Sequence, residues 1–155
     1  AVEAGMILAA LLYIRRVTTT TTVARVTPDY VLQGMEHSLQ LHEIPGDVAI
    51  YRIHGPFLFG ATDKLDVIED EIQTLPRLVI LRLRNMTALD ATGLHAIERL
   101  AGRLHGTGRT LILCGMRDQP KVMMARADFQ AHVGAENIVP TVQAALARAR
   151  QLRAA

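Results

Sequence analysis

The sequence predicts an α/β domain with a small mixed, mainly parallel sheet flanked by helices. Two nearly all-apolar runs, at 78–83 and 110–115, have the length and composition of buried strands. Segments with apolar residues every three or four positions, typical of amphipathic helices, lie at 61–75, 90–104 and 141–152. Strands that alternate with helices in this way imply parallel pairing through right-handed crossovers.

The composition fits one globular domain with an aliphatic core. The 155 residues are enough for one such domain; half of them are apolar and only 4% are aromatic. The 17 basic and 15 acidic residues are scattered rather than gathered on one face, so we expect no binding of nucleic acid. The one cysteine, Cys114, ends an apolar run and is predicted to be a buried small hydrophobic residue.

An apolar segment precedes the predicted domain. The sequence begins at Ala1 without an initiator methionine, which we interpret as a piece of a longer chain. Residues 4–14 are apolar and stop at Arg15 and Arg16, after about half of the roughly 20 residues that span a membrane. We therefore predict that residues 1–16 are the end of a transmembrane helix or an interfacial helix. An ordinary buried helix is the alternative interpretation.

A linker is predicted between this segment and the domain. The threonines at 18–22 are β-branched and disfavour a helix, so we expect an extended stretch there and assign 17–37 to the linker. The compact domain is predicted at 38–155. It opens with alternating residues at 39–42 and a strand at 48–53, which are expected to form an antiparallel hairpin.

The first helix of the domain is predicted at 61–75, and Pro76 ends it. Its apolar face consists of Leu65, Ile68, Ile72 and Leu75. Its acidic residues are expected to face solvent, namely Asp63, Asp66, Glu69, Asp70 and Glu71.

The other elements are predicted from apolar runs, turn residues and helical spacing. In chain order they are a buried strand at 78–83, a loop at 85–89, a helix at 90–104, a buried strand at 110–115, a short helix from Pro120 to about Ala127, an edge strand at 138–139 and a final helix at 141–152.

The segment Asp90-Ala91-Thr92-Gly93 is the leading candidate for a functional site. It opens a helix, and Asp90 has the side chain of an N-cap residue. Thr92 is expected to expose its hydroxyl in the first turn, where a phosphate would be stabilised by the helix dipole, and Gly93 leaves the backbone open to close approach. We interpret this loop as a phospho-acceptor or a contact for an anion or regulator. A capped helix with an ordinary threonine is the alternative.

These residues resemble the STAS family, which is named for sulfate transporters and anti-sigma factor antagonists. In the soluble antagonists the loop reads Asp-Ser-Ser-Gly and a serine is phosphorylated; here Thr92 stands in for one serine and Ala91 replaces the other. Asp-Ala-Thr-Gly-Leu-His is closer to the transporter branch. The resemblance covers 39–152, so 38–155 is identified as a STAS domain. With the apolar segment before it, the chain resembles the exit from a SulP membrane domain into its C-terminal STAS domain.

The resemblance implies a fold and a role. A SulP protein moves sulfate, bicarbonate, dicarboxylate or a similar anion, and its STAS domain lies on the cytoplasmic face of the bacterial inner membrane. The domain is expected to contact the membrane domain of its own transporter, to support homodimerisation and to bind regulators. Acyl carrier protein and nucleotide are partners that the family suggests. The alternative is a free-standing anti-sigma factor antagonist-like switch that acts through Thr92.

Other candidate sites are weaker. The sequence contains neither a phosphate-binding GxxxxGK[ST] loop nor a GxGxxG motif, so we expect no cofactor and no enzymatic activity. His95 and Glu98 have a spacing that two metal ligands on a helix could use, but no second pair accompanies them and no metal is expected. A partner-docking surface is one interpretation of four neighbouring residues, and core packing of the two methionines is the other. The four are Lys121, Met123, Met124 and Arg126.

Overall fold

The computed structural model describes residues 1–26 and 44–155. In chain order its elements are α1 (Val2–Thr20), β1 (Thr22–Arg25), β2 (Val48–Phe57), a 3₁₀ turn (Thr62–Leu65), α2 (Asp66–Asp70), β3 (Leu78–Leu89), α3 (Ala91–Gly106), β4 (Thr110–Cys114), α4 (Asp118–Arg126), α5 (Gln130–Val133), a second 3₁₀ turn (Ala135–Asn137), β5 (Ile138–Val139) and α6 (Val142–Ala154).

The strands form one mixed sheet in the order β1-β2-β3-β4-β5. β1 is antiparallel to β2, and the other neighbours are parallel. Val48, Leu78 and Thr110 are aligned across β2, β3 and β4, so these three strands begin level with one another. Their carboxyl ends therefore lie at the same edge of the sheet. The predicted α/β fold with a mainly parallel mixed sheet is confirmed.

Helices cover both faces of the sheet because successive side chains of a strand point to opposite faces. On one face Tyr51 and Leu81 pack with the apolar residues of α2, α3 and α4. On the other face Ile50 and Ile80 pack against α6. β3 is buried on both faces over most of its length, which explains its nearly continuous apolar run.

Several predicted elements are confirmed with small changes in their bounds. They are the buried strands at 78–83 and 110–115, the helices at 90–104 and 141–152, the short helix around Pro120 and the edge strand at 138–139. The predicted strand at 39–42 and its hairpin lie outside the described residues. Among the described residues, the antiparallel neighbour of β2 is β1.

The continuous helix predicted at 61–75 is wrong. A 3₁₀ turn and the short α2 replace it, and the chain then continues in turns. The amides of Ile72 and Thr74 bond to carbonyls three residues earlier, and the Thr74 hydroxyl also donates to the Glu71 carbonyl at 2.9 Å. Such local hydrogen bonds compete with the hydrogen bonds to carbonyls four residues earlier that an α-helix requires. The predicted inward residues are nevertheless all buried, namely Leu65, Ile68, Ile72 and Leu75.

The acidic face of this segment is also not uniformly solvated. Glu69 is buried and forms ion pairs with Arg103 and Arg99 of α3. Glu71 accepts a hydrogen bond from the Tyr51 hydroxyl at 3.0 Å. The prediction that the acidic residues face solvent is therefore wrong for Glu69. Glu71 is exposed, as predicted, and it also joins the segment to β2.

Two further local predictions are wrong. The loop expected at 85–89 is the second half of β3, where Leu89 pairs with Phe57 of β2. The extended stretch expected at 18–22 begins only after Thr20, where α1 ends. Thr19 is accommodated in α1 because its hydroxyl donates to the Arg16 carbonyl at 2.9 Å.

α1 exposes most of its apolar side chains. Eight large ones are 50–77% exposed: Val2, Met6, Ile7, Leu8, Leu11, Leu12, Tyr13 and Ile14. This exposure contradicts the alternative of an ordinary helix buried in the domain. No helix within the described ranges is both long enough and apolar enough to cross a membrane.

Candidate functional site

The loop from Asp90 to Gly93 lies where β3 passes into α3, at the edge formed by the carboxyl ends of the parallel strands. Asp90 is the N-cap residue, as predicted, and its Oδ1 accepts from the Gly93 amide at 2.7 Å. Its second oxygen, Oδ2, accepts from the Phe59 amide at 2.9 Å. One carboxylate thus fastens the start of α3 to the turn that follows β2.

Gly93 allows α3 to pack directly on the end of β2. A Cβ at this position would lie 2.4 Å from the Phe57 carbonyl oxygen and 2.9 Å from its Cδ1. The Gly93 backbone is therefore closely approached, as predicted, but the group that approaches it is Phe57 of β2 rather than a ligand.

Thr92 and Ala91 remain on the surface. Both are exposed in the first turn of α3, and they are the two residues before the buried Gly93. This position matches the expected surface location of the Thr92 hydroxyl. A negative charge in the first turn of a helix is favourable. The proposed role of Thr92 as a phospho-acceptor stays a prediction.

Gln119, in the first turn of α4, holds the last residue of β3. Its Oε1 accepts from the Leu89 amide at 2.9 Å, and its Nε2 donates to the Leu89 carbonyl at 2.8 Å. The side-chain amide thereby replaces a neighbouring strand at this point. Sequence reasoning missed Gln119, because nothing in the local pattern shows that Leu89 is its partner.

α1 joins the domain at the same edge. The Thr21 hydroxyl donates to the Pro56 carbonyl at 2.6 Å. Gly55 has φ +93°, and a Cβ there would lie 3.0 Å from the Thr20 carbonyl oxygen. The close packing and the positive φ both favour glycine. The junction of α1 and β1 is therefore packed against the carboxyl end of β2.

The four residues predicted as a docking surface on α4 do not all lie on the surface. Lys121 and Arg126 are exposed and Met123 is partly buried, whereas Met124 packs into the core. Met124 is thus a core residue, in agreement with the alternative interpretation. Val122, which the sequence did not single out, is half exposed and lines a shallow depression together with Met123 and Arg126.

The histidine and glutamate pair is at the surface of α3. His95 Nδ1 lies 3.3 Å from Glu98 Oε2, and His132 Nε2 lies 3.9 Å from Glu98 Oε1. Among residues 1–26 and 44–155, no group of three or more His, Cys, Asp or Glu side chains is arranged to hold a metal ion.

Sequence comparison matches residues 39–145 to the STAS domain family. The chain is 23% identical over 137 residues to the "Putative sulfate transporter YvdB" of Bacillus subtilis (strain 168). This alignment covers 88% of the chain but 24% of the relative, so the chain spans about a quarter of that protein's length.

Solved structures agree with this match. A sulfate transporter family protein from Wolinella succinogenes is 34% identical with a TM-score of 0.67, covering 73% of this chain and 93% of that one. The STAS domain of a SulP transporter from Vibrio cholerae is 26% identical with a TM-score of 0.63, covering 82% of this chain and 97% of that one. SLC26A9 shares the fold at 13% identity, with a TM-score of 0.70, over 97% of this chain and 27% of its own. The chain therefore belongs to the STAS domain family and is similar to the STAS domains of SulP transporters.

Proposed function

We propose that this chain is the regulatory and interaction domain of a SulP-type secondary anion transporter, of the sulfate, bicarbonate or dicarboxylate class. It acts by contact with other parts of the transporter and with regulators, without catalysing a reaction. Its place is the cytoplasmic face of the bacterial inner membrane. Its first partner is the membrane domain of its own transporter, and a second copy of the domain is the next.

The observation that carries this proposal is the exposed apolar surface of α1 next to the site. Contiguous apolar patches of this kind mark interaction or membrane surfaces. The patch ends at Arg15 and Arg16, and basic residues favour the cytoplasmic side of a membrane. Phe59, which is 72% exposed, adds an apolar side chain at the edge where α1 joins the domain.

The exposed side of α4 is the proposed docking surface for a regulator. Arg126 lines a partly apolar depression together with Val122 and Met123, and Lys121 is exposed on the same helix. Asp118 also lines the depression, so two positive charges stand against one negative charge on this surface. This combination suits an acidic partner with an apolar contact, such as acyl carrier protein. A nucleotide is the other regulator that the family resemblance suggests.

The upstream coding sequence tests the proposal most directly. We expect it to encode several membrane-spanning helices of roughly 20 apolar residues each. Vesicles that contain the full-length protein should take up the anion, and deletion of 44–155 should reduce this uptake. A natural coding sequence that begins near Val23 would contradict the proposal.

The alternative function is a free-standing switch that is phosphorylated at Thr92, and the exposed hydroxyl at the start of α3 favours it. We expect Thr92→Asp to change the free energy of unfolding by less than about 1 kcal/mol, because a carboxylate in the first turn is tolerated by the helix dipole. Urea unfolding measures this change, with Thr92→Ala as the matched control.

Substitution of Thr92 should affect regulation more than it affects the free energy of unfolding. In the full-length protein, Thr92→Asp is expected to alter anion uptake or partner binding, whereas Thr92→Ala is not. A stability loss above about 2 kcal/mol for Thr92→Asp would instead identify Thr92 as a structural residue. Phosphorylation of a chain that has no upstream membrane domain would favour the switch.

A further inference from the structure

The turn that follows β2 carries an exposed aromatic side chain at its tip. In residues 58–61, which we call the Phe59 turn, the Ala61 amide donates to the Leu58 carbonyl at 2.9 Å, and Gly60 has φ +88°. A hydrogen bond from the fourth residue to the first and a positive φ at the third are typical of a type II turn. Phe59 is the second residue of this turn and is 72% exposed.

The backbone of the Phe59 turn is fixed to the domain. The Phe59 amide donates to Asp90 Oδ2 at 2.9 Å, and Oδ1 of the same carboxylate accepts from the Gly93 amide at 2.7 Å. Phe57 before the turn and Ala61 at its end are both buried. A side chain on a fixed backbone loses little further freedom when it makes a contact. The Phe59 ring is therefore prepared to contact an apolar surface outside residues 44–155.

α1 enters the domain on the same side as the Phe59 turn. β1 is antiparallel to β2 with Thr22 opposite His54, so the residues before Thr22 lie toward the carboxyl end of β2. The Thr21 hydroxyl accordingly donates to the Pro56 carbonyl at 2.6 Å. β2 continues past Pro56 in this direction and leads into the Phe59 turn. Both α1 and the Phe59 turn therefore extend from the carboxyl end of β2.

α1 has apolar side chains on all of its sides. Residues 4–14 contain no charged residue, and residues 44–155 leave all of 1–16 exposed. A helix that is apolar all round is buried in a protein core or in a bilayer, whereas a helix that lies along the headgroups has one strongly polar face. We therefore interpret α1 as entering the hydrocarbon region end-on.

Arg15 and Arg16 mark the level of the headgroups on α1, because basic residues favour the cytoplasmic interface. From Arg16 to Thr20 the helix rises by about 6 Å. From Pro56 the three residues to Phe59 span at most about 11 Å. Both segments extend toward the bilayer from the point where Thr21 bonds to Pro56. Phe59 can therefore reach the level of Arg16.

Given the membrane attachment proposed above, we propose that Phe59 places its ring in the headgroup region of the bilayer that holds α1. Phenylalanine is among the side chains that membrane-surface segments bury at the boundary between headgroups and acyl chains. α1 alone is one attachment point, about which the domain can rotate. Phe59 is a second attachment point, and together they turn the carboxyl edge of the sheet toward the lipid surface.

A single tryptophan at position 59 tests this contact. The sequence contains no tryptophan, so Phe59→Trp gives the full chain one such fluorophore. The variant is reconstituted in phosphatidylcholine vesicles whose acyl chains carry bromine near the headgroup, where it quenches tryptophan on contact. Relative to unbrominated vesicles, we expect a loss of emission. An unquenched tryptophan in chain that sediments with the vesicles would overturn the proposal.

Gln151→Trp is the matched control at the opposite edge of the sheet. Gln151 is exposed near the end of α6, where Arg153 Nε lies 2.6 Å from Asp47 Oδ2, just before β2. The ten residues of β2 separate this point from the Phe59 turn by roughly 33 Å. We expect no quenching of the control. Equal quenching of the two variants would contradict an orientation with the carboxyl edge toward the lipid.

Vesicle binding gives a second readout at the same two positions. Phe59→Ser should weaken partitioning into phosphatidylcholine vesicles by about tenfold, which corresponds to about 1.4 kcal/mol. Gln151→Ser should leave partitioning unchanged. Sedimentation at limiting lipid measures the bound fraction of each variant. Equal partitioning of Phe59→Ser and the unmodified chain would show that the ring does not contact lipid.

The outcomes separate this contact from the proposed function. If the unmodified chain does not sediment with vesicles, membrane attachment of α1 is wrong, and the Phe59 contact fails with it. If the chain sediments but Phe59→Trp is not quenched, only the Phe59 contact fails. An emission shift to shorter wavelength without quenching by brominated lipid would place the ring against a second copy of the chain, and would likewise exclude the lipid contact.

Discussion

Gly93→Ala is expected to destabilise the protein by at least about 3 kcal/mol, at the upper end of the overpacking range. By helix propensity alone the change would stabilise α3 by about 1 kcal/mol. The new Cβ, however, would lie 2.4 Å from the Phe57 carbonyl oxygen and 3.0 Å from Leu89 Cδ1. Phe57 is fully buried, and its backbone is paired with Leu89 in the sheet. Because the strand cannot yield, α3 must move away from the core. Urea unfolding followed by circular dichroism measures the loss.

Gly102→Ala is the matched control in the same helix. A Cβ at Gly102 would meet no atom within 4 Å, and the residue is exposed. We expect this variant to gain up to about 1 kcal/mol from helix propensity alone. The difference between the two variants therefore isolates the contact between α3 and β2. Equal stabilities of the two variants would show that Gly93 is not in tight contact with Phe57.

Local patterns predict those elements whose burial is regular. α3 and α6 have apolar residues at helical spacing, and β4 is a short apolar run, so all three could be found from the sequence. The segment at 61–75 has the same spacing but forms only a short helix. Its side chains reach the core through turns, and its carboxylates bond to other elements. These partners are distant in sequence, so the spacing of apolar residues gives no information about them.

The contacts of the Asp90–Gly93 loop also include local ones, which could be predicted from the sequence, and long-range ones, which could not. The bond from Gly93 to Asp90 spans three residues, so the N-cap could be predicted from residue type and position. The bond from Phe59 to Asp90 spans 31 residues and depends on the pairing of β2 with β3. The pairing of Arg52 with Arg82 across β2 and β3 likewise depends on the strand register. Register is set by tertiary packing and could not be read from a single sequence.

Asp90→Ala is expected to lower the free energy of unfolding by about 2–3 kcal/mol, because two amides lose their acceptor at once. Loss of an N-cap alone costs about 1 kcal/mol, and a hydrogen bond to a charged group contributes about 1.5 kcal/mol or more. Thr141→Ala removes a cap with one bond from α6 and serves as the matched control in urea unfolding.

Asp90→Asn keeps one oxygen for the Gly93 amide but turns an NH₂ group toward the Phe59 amide, so an intermediate loss is expected. If Asp90→Ala lowers the free energy of unfolding no more than Thr141→Ala does, the hydrogen bond from the Phe59 amide to Asp90 contributes nothing to stability. A larger loss would mean that the turn after β2 is held to α3 by this carboxylate, and that the exposed Phe59 beside it is presented in a fixed position.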